Sequence, residues 1–433
     1  MSVLALLLAL LALIAAPLSI LVGAVLLVLA AGAGVVHVRR RPGRRVLAVA
    51  SVIALLAAGL LGFETWERHR PSGASTVDTD VYDRPGTDRD VWLPLTAARY
   101  EVTALALLEI EPDADPVYSG FEPQYIEREG ECGYRVIAYR HDGYADFYDD
   151  LALSHDHDLS SAVTGKGLKN YSRQDLGDPV IEVDGQGRAT IAFSLLDVQG
   201  RRVSVDIREG AGGRSVPFQL LAPVGMSSTD PQVFPLFMMN DLEFLRLRGL
   251  EANVRIDGRD VALQGFPGPV PMQGQLRSWA KYSLDAEIME IFPTGNTEME
   301  RVRTTGDRYE RGGTTYLFAG DGLERIHLVD TEIVFDPPLD IGRAGEGRVT
   351  MTSHPDRGHV SGAWEIIRDG EVSRLRLLID DVEVPRQRGV LYRLIVNNRS
   401  VFASWPQNYS FTATYDPAAG EQQPQWRNGD PQG

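Results

Sequence analysis

Cysteine and lysine are scarce in this chain of 433 residues. Its one cysteine is Cys132, and lysine occurs only at Lys166, Lys169 and Lys281. A single cysteine excludes an internal disulfide, so a domain outside the cytoplasm has to be stabilised by its hydrophobic core. Because reactive thiolates form beside positive charge and Cys132 follows the acidic Glu131, this thiol is a poor candidate for a nucleophile.

Motifs for nucleotide binding and nucleophilic catalysis are missing too. The sequence has no Gly-x-Ser-x-Gly elbow, and Gly165-Lys166-Gly167 lacks the hydroxyl residue of a phosphate loop. Asp184-Gly185-Gln186-Gly187-Arg188 has Thr190 where a dinucleotide loop needs its third glycine, so we interpret it as a turn. We therefore predict no catalytic, metal-binding or cofactor-binding residue and no cofactor.

Two long apolar stretches dominate the N-terminus, Val3–Val36 and Val46–Phe63. A membrane-spanning helix needs about 20 apolar residues, and Pro17 is expected to bend the longer stretch. The residues that separate the stretches include five arginines: Arg39, Arg40, Arg41, Arg44 and Arg45. This pattern predicts a transmembrane helical hairpin over residues 1–70.

The arginine loop also predicts orientation. Short loops rich in Lys or Arg stay on the cytoplasmic side, so both ends of the hairpin should face outward. We predict a protein of the bacterial inner (cytoplasmic) membrane, in contact with the lipid bilayer, with residues 71–433 on the extracytoplasmic side. The alternative is a signal peptide cleaved after Ala31-Gly32-Ala33, but the N-terminus carries no basic segment and the apolar run is too long.

The rest of the chain is acidic. Residues 1–70 contain seven arginines and two acids, so the net charge of −16 leaves −21 for residues 71–433. Such a surface repels nucleic acid, and we expect no nucleic-acid partner.

Alternation of apolar and polar residues, interrupted by turn residues, predicts a mainly β fold. Four hairpins are expected from turn signals flanked by such runs. The signals are Gln199-Gly200, Asp257-Gly258, Asp321-Gly322 and Asp369-Gly370. Further strands are expected at Tyr100–Ile110, Tyr134–Tyr139, Ala280–Ile291, Val390–Val396 and Phe411–Tyr415.

These strands, roughly 14 to 18, suggest a large antiparallel region made of two barrel-like (calycin-type) or sandwich units. Helix is expected only at Tyr144–Leu153 and Asp241–Leu247. The Gly- and Pro-rich stretch Gln264–Pro271 could not form an interior strand and is the predicted boundary. The expected order is an anchor (1–70), a flexible linker (71–91), a first β-rich unit (92–265), a second (266–415) and a disordered tail (416–433).

Ser278-Trp279-Ala280-Lys281 matches the Ser-x-x-Lys element of penicillin-interacting enzymes. That chemistry needs both side chains on one face of a helix. The surrounding alternation instead predicts a strand, which would send Ser278 and Lys281 to opposite faces. The companion Lys-Thr-Gly element is absent from the sequence.

Four histidines offer a metal hypothesis. His155 and His157 would point to one side of a strand, and His354 or His359 would supply the third ligand of a zinc ion by folding nearby. The alternative is a solvated loop. His327, inside an expected strand, is interpreted as a residue of its polar face.

Other chemical groupings have ordinary explanations. The acid pairs Asp149-Asp150 and Asp380-Asp381 are expected in so acidic a chain. The cluster of Tyr134, Tyr139, Tyr144, Phe147 and Tyr148 suits core packing, with the lining of an apolar cavity as the alternative.

Three functions remain open. The favoured hypothesis is a membrane-anchored binding protein whose β unit holds a lipid-like or other apolar envelope molecule. The second is a scaffold for envelope proteins, and the third is an enzyme acting on lipid, isoprenoid or glycan.

Overall fold

The structure, a computed structural model, is mainly β, with several antiparallel sheets. It describes residues 79–83, 86–128, 131–153, 166–213, 218–222, 231, 233–266, 275–292, 297–329, 331–352, 358–385 and 409–428, together with positions 58, 59, 62 and 66. The predicted hairpin therefore lies almost entirely outside the described residues. Within them, no helix has the length and hydropathy of a membrane span.

One short 3-10 helix, Thr79–Asp83, precedes the strands. The first sixteen strands are β1 (Asp90–Leu93), β2 (Ala97–Glu109), β3 (Tyr118–Arg128), β4 (Glu131–Arg140), β5 (Ala145–Asp149), β6 (Leu168–Arg173), β7 (Val180–Val183), β8 (Ala189–Leu196), β9 (Arg202–Arg208), β10 (Phe218–Ala222), β11 (Phe234–Arg246), β12 (Glu251–Ile256), β13 (Arg259–Asp260), β14 (Arg277–Ser283), β15 (Ala286–Ile291) and β16 (Glu300–Arg303). The last nine are β17 (Arg308–Arg311), β18 (Thr314–Ala319), β19 (Gly322–Leu328), β20 (Thr331–Leu339), β21 (Gly345–Thr352), β22 (His359–Asp369), β23 (Val372–Glu383), β24 (Tyr409–Asp416) and β25 (Glu421–Asn428).

The described strands form four sheets. The first sheet follows the order β10-β11-β14-β2-β3-β4-β5-β6, with β15 pairing to β11 and β2. A five-stranded sheet has the order β13-β12-β9-β8-β7, and the last sheet is a meander from β17 to β25. β1 and β16 form a two-stranded ribbon.

A first core lies between the first sheet and the five-stranded sheet. Ala106 and Val136 of the first sheet share it with Ile191 and Val205 of the other, all nearly inaccessible to solvent. A second core joins β2, β11 and β15 to the last sheet, where Trp426 and Phe335 are buried. Since β2 and β11 contribute to both cores, the two β units share strands.

All four predicted hairpins are present. Asp257 and Gly258 have φ values of 53° and 75°, the left-handed conformation that a two-residue type I′ turn requires. In two other hairpins the turn lies one residue from the predicted position, at Gly320-Asp321 and Gly370-Glu371.

Both predicted helices are wrong. Tyr144–Leu153 contains β5, and Asp241–Leu247 overlaps the end of β11. β5 is buried along its whole length, so its sequence shows no period-two alternation that would have identified a strand. The expected strand Ala280–Ile291 is two strands, since a turn at Leu284-Asp285 separates β14 from β15; Val390–Val396 lies outside the described residues.

Regions expected to lack structure contain ordered elements. Tyr82 of the 3-10 helix stacks on His327 at 4.9 Å and donates a hydrogen bond of 2.6 Å to Glu332. Within residues 416–433, β25 pairs with β24 and fully buries Trp426. The polar sequence of β25 hid this strand, because only one large apolar side chain points into the core.

The predicted boundary at residues 265 and 266 does not separate two sheets. β14 and β15 follow it in sequence but pair with β2 and β11 of the first sheet. The first sheet therefore contains strands from both sides of the predicted boundary.

Candidate functional site

The candidate site lies on the face of the first sheet that points away from the first core. Along β4, Val136 and Ala138 enter the first core, whereas Arg135, Ile137 and Tyr139 alternate with them and face the other way. Arg135 and Ile137 are nevertheless buried. This second face, called here the polar face, is thus withdrawn from water although it carries charged groups.

At one end of the polar face, Arg135 and Asp149 form a bidentate ion pair. The Arg135 Nε and Nη2 atoms lie 2.6 and 2.8 Å from the two carboxylate oxygens of Asp149. The pair is nearly inaccessible to solvent, and Tyr171 donates a further hydrogen bond of 3.2 Å to Asp149. Cross-strand pairing of β4 with β5 puts the two residues directly opposite each other, so the sheet register fixes this pair.

In the middle of the face lies a buried carboxyl group, Glu122 on β3. Tyr139 donates a short hydrogen bond to one of its oxygens, and Gln124 Nε2 donates to the other at 2.7 Å. Burial raises the pKa of Glu122, and the two donors oppose this effect only in part. Burial and the neighbouring Glu122 likewise raise the pKa of Tyr139.

Beyond Glu122 the face becomes more open. Lys281 Nζ lies 2.5 Å from Glu109 Oε1 and 4.7 Å from the centre of the Trp279 ring. The Glu109 side chain is 35% exposed, against 11% for Lys281, whereas Glu122 is only 2% exposed. The second oxygen, Glu109 Oε2, is inaccessible and has no hydrogen-bond partner among the described residues.

An aromatic wall flanks this open end. Phe244 stacks on Trp279 with ring centres 5.6 Å apart. Phe266 and Trp279 pack edge to face with ring centres 5.3 Å apart. Phe244 belongs to the second core, and the partly exposed Phe266 and Trp279 pack against that core. The open end is therefore located where the contact between the first and last sheets runs out. We call Glu109, Glu122, Tyr139, Trp279 and Lys281, with Phe244 and Phe266, the acid–aromatic cluster.

Other buried ion pairs hold elements together. Arg246, itself only 1% exposed, forms ion pairs with Glu209, the residue after β9, at 2.9 Å and with Glu243 at 2.8 Å. Arg201 joins Asp115 and Asp197 at 2.7 and 2.8 Å. These acids all have arginine partners, so their polar atoms are committed to the fold.

The Ser-x-x-Lys element occupies a strand, as its alternation predicts. Lys281 points to the polar face, while Ser278 lies on the opposite face and accepts a hydrogen bond from the Ala280 amide at 3.2 Å. The two side chains cannot act on one substrate atom. The element's contribution to the candidate site is Lys281 and Trp279, not a serine nucleophile.

The metal hypothesis stays untested for most of its residues. His155, His157 and His354 lie outside the described residues, and His359 pairs with Glu383 at 3.3 Å. Within the part of the chain that the structure describes, no three His, Cys, Asp or Glu side chains are grouped to hold a metal ion. His327 lies against Tyr82, and its Nε2 atom is 2.6 Å from the Val329 carbonyl.

Neither acid pair forms a joint site. Asp149 is buried with Arg135, whereas Asp150 accepts a turn hydrogen bond from the Ala152 amide. Asp380 forms an ion pair with Arg348 at 2.5 Å. The Asp184–Arg188 segment is the expected turn, in which Asp184 accepts from the backbone amides of Gln186 and Arg188.

The five aromatic residues near β4 and β5 do not form one cluster. Tyr134 and Tyr148 pack in the first core, Tyr139 and Phe147 lie on the polar face, and the Tyr144 ring lies under Lys169 at 4.8 Å. Sequence reasoning missed Glu109 and Glu122 because isolated acids in strands resemble solvent-facing residues. No family model matches the chain, and neither a curated protein nor a solved structure resembles it significantly.

Proposed function

We propose that this chain is a membrane-anchored, extracytoplasmic binding protein whose ligand occupies the acid–aromatic cluster. The observation that carries the proposal is the partly exposed Glu109–Lys281 ion pair beside a partly exposed aromatic wall. The Glu109 side chain is 35% exposed, and its carboxylate can accept hydrogen bonds beyond the one from Lys281. Binding sites commonly combine apolar walls with a few convergent polar groups.

The ligand proposed is amphiphilic. Its apolar part would lie on Phe266, Trp279 and the half-buried Leu107, where the surface continues that of the second core. Its polar part would reach Glu109 and Lys281. This keeps the lipid-like envelope molecule expected from the sequence, but locates it on a face of the first sheet.

Packing in the second core supports that location over the interior of the last sheet. Trp426 stacks on Phe292 and on Phe234, with ring centres 5.8 and 5.3 Å apart. Its indole nitrogen donates to the carbonyl oxygens of Ile291 and Phe292 at 3.1 and 2.6 Å. Stacked rings fill this level of the core, leaving the open edge as the better place for a ligand.

Two finer points of architecture belong to the same proposal. The first core is the interior of a sandwich, and the last sheet is a curled, barrel-like unit. The transmembrane hairpin over residues 1–70 anchors both units to the inner membrane, with residues 71–433 outside.

Ligand binding is tested on full-length protein purified from bacterial membranes in mild detergent. Native mass spectrometry should find one amphiphile per chain, and Trp279→Ala should lose it. Trp92→Ala is the matched control, because Trp92 lies under Arg301 at 5.7 Å on another sheet. Wild-type protein that carries no amphiphile would contradict the proposal; cross-linking to one envelope protein instead would favour the scaffold.

Orientation is tested separately in sealed spheroplasts. Added protease should digest the chain after residue 70 while a cytosolic marker survives. Survival of both would mean the opposite orientation and would place the binding face in the cytoplasm.

A further inference from the structure

The polar groups of the acid–aromatic cluster restrict what its ligand carries at the polar end. This step rests on the proposed function. The relevant groups are one carboxylate (Glu109), one ammonium (Lys281), one buried carboxyl (Glu122) and one phenol (Tyr139), beside the rings of Phe266 and Trp279.

An anionic head group fits this set poorly. Lys281 is the ammonium of the cluster, and its charge is balanced by Glu109 at 2.5 Å. A phosphate would meet the Glu109 carboxylate at short range in a region whose net charge is −21 over residues 71–433. Phosphate sites usually supply several donors or a bidentate arginine. Here Arg135 is fully engaged with Asp149.

A cationic head group meets a different obstacle. The place where an ammonium would be stabilised, between the Trp279 ring and the Glu109 carboxylate, is occupied by Lys281 itself, 4.7 Å from the ring centre. A ligand cation would have to displace this tethered ammonium and leave it without a partner.

A neutral head group rich in hydroxyls can use the acceptor, the donor and the aromatic rings of the cluster. The partly exposed Glu109 carboxylate can accept a hydrogen bond besides the one from Lys281, and Lys281 has ammonium hydrogens beyond the one shared with Glu109. The faces of a sugar ring are apolar C–H surfaces, which pack on aromatic rings, while its hydroxyls project sideways to polar groups. Phe266 and Trp279 offer such a wall next to the acceptor and the donor.

From this juxtaposition we infer that the cluster binds a saccharide, either free or as the head group of a glycolipid. The partly exposed rings take one face of the sugar, the Glu109 carboxylate accepts a hydroxyl hydrogen, and Lys281 donates to a hydroxyl oxygen. The aromatic wall continues toward the second core, which gives a lipid tail, where one is present, an apolar surface to follow.

The test uses the full chain in lipid nanodiscs and isothermal titration calorimetry. The probes are tetrasaccharides of N-acetylglucosamine, glucose and mannose, with inorganic phosphate and choline as charged competitors and a glycolipid of the best-binding sugar as the second saccharide source. We expect one tetrasaccharide to bind with a Kd of about 1 mM or tighter. Neither competitor should displace it. We expect the glycolipid to bind more tightly than the free sugar, because its tail has the aromatic wall to follow. Equal binding would support the saccharide site but contradict an amphiphilic ligand.

Variants localise the binding. Trp279→Ala and Glu109→Gln should each weaken it by about tenfold, and Trp92→Ala should leave it unchanged. Should Trp279→Ala fail to fold, Trp279→Phe keeps a ring and should weaken binding less. No binding of any tetrasaccharide, or Trp279-dependent binding of phosphate or choline, would overturn the saccharide assignment. A co-purified amphiphile without sugar would overturn the saccharide assignment but would still support the proposed binding function. If the protein carries no amphiphile and binds no saccharide, both proposals are wrong.

Discussion

The two faces of the first sheet are buried by different means. On the first-core face, Phe121, Val136 and Ala138 pack against the five-stranded sheet without any ionised partner. On the polar face, the residues next to them in sequence, Glu122 and Arg135, are equally buried but depend on specific hydrogen bonds and ion pairs. One set of strands thus supports a non-directional core on one side and a directional network on the other.

The difference separates stability from binding. Apolar burial contributes roughly 25 cal/mol per Å² whatever its neighbours, so the first-core face tolerates rearrangement while staying dry. A buried ion pair gains little over an apolar replacement but is costly to break. Apolar residues would therefore stabilise the polar face about as well as its charged groups do. The presence of charged groups there is consistent with a role in recognition.

The largest effect is expected from removing strands of the first sheet, which both of its faces need. A fragment of residues 92–265 lacks β14, which lies between β11 and β2 in the first sheet. We expect this fragment to show no cooperative unfolding transition by circular dichroism. A fragment that folds with the strand content of the full chain would mean that the two units are independent after all.

The apolar face is tested by Phe121→Ala. Phe121 is 1% exposed and packs edge to face on Phe193 across the first core, with ring centres 6.1 Å apart. We expect the free energy of unfolding to fall by about 3–5 kcal/mol, measured by chemical denaturation. Ile367→Ala is the control, because Ile367 is 56% exposed and its loss should cost less than about 0.5 kcal/mol. Similar losses from both would show that the first core is loosely packed.

The polar face is tested by Arg135→Met. This change leaves Asp149 buried without its bidentate partner, and we expect a loss of about 3–5 kcal/mol in the free energy of unfolding. Adding Asp149→Leu removes the stranded charge and should recover most of that loss. A double variant no more stable than the single one would show that the unpaired Asp149 charge is not what destabilises Arg135→Met.

A matched control is available in Arg255→Met. Arg255 pairs with Asp260 at 2.7 Å, but the side chains are 59% and 82% exposed. Because exposed pairs contribute about 0–1 kcal/mol, this variant should be close to wild type. The contrast between the two arginines compares a buried bidentate pair with an exposed pair joined by one hydrogen bond.

Sequence periodicity identified the strands that have one face in a core and the other face in water. Runs such as Arg202–Ile207 alternate cleanly because one side of β9 meets the first core and the other meets water. The mainly β class and the hairpins followed from such runs. β5 was misread as a helix because both of its faces are buried, which removes the alternation.

The candidate site was out of reach for a similar reason. A glutamate in an alternating strand reads as a solvent-facing residue, and nothing local to Glu122 indicates that its side of the sheet is also covered. Lys281 and Trp279 did stand out, but as part of a Ser-x-x-Lys element. Only the pairing of β14 with β2 brings Lys281 to Glu109, a contact between residues 172 positions apart.

The smallest expected effect concerns the protonation of Glu122. Burial raises its pKa in the folded state above the ordinary carboxyl value near 4.3. Its stabilising contribution is therefore fully present below that ordinary value and is lost as pH rises through the raised pKa of the folded state. Glu122→Gln stays neutral, so its melting temperature should gain on wild type as pH increases from 4 to 8, measured by calorimetry. The exposed Glu346→Gln should show no such trend. A constant offset between Glu122→Gln and wild type at every pH would show that the buried carboxyl is ionised throughout, and that the polar face tolerates its charge.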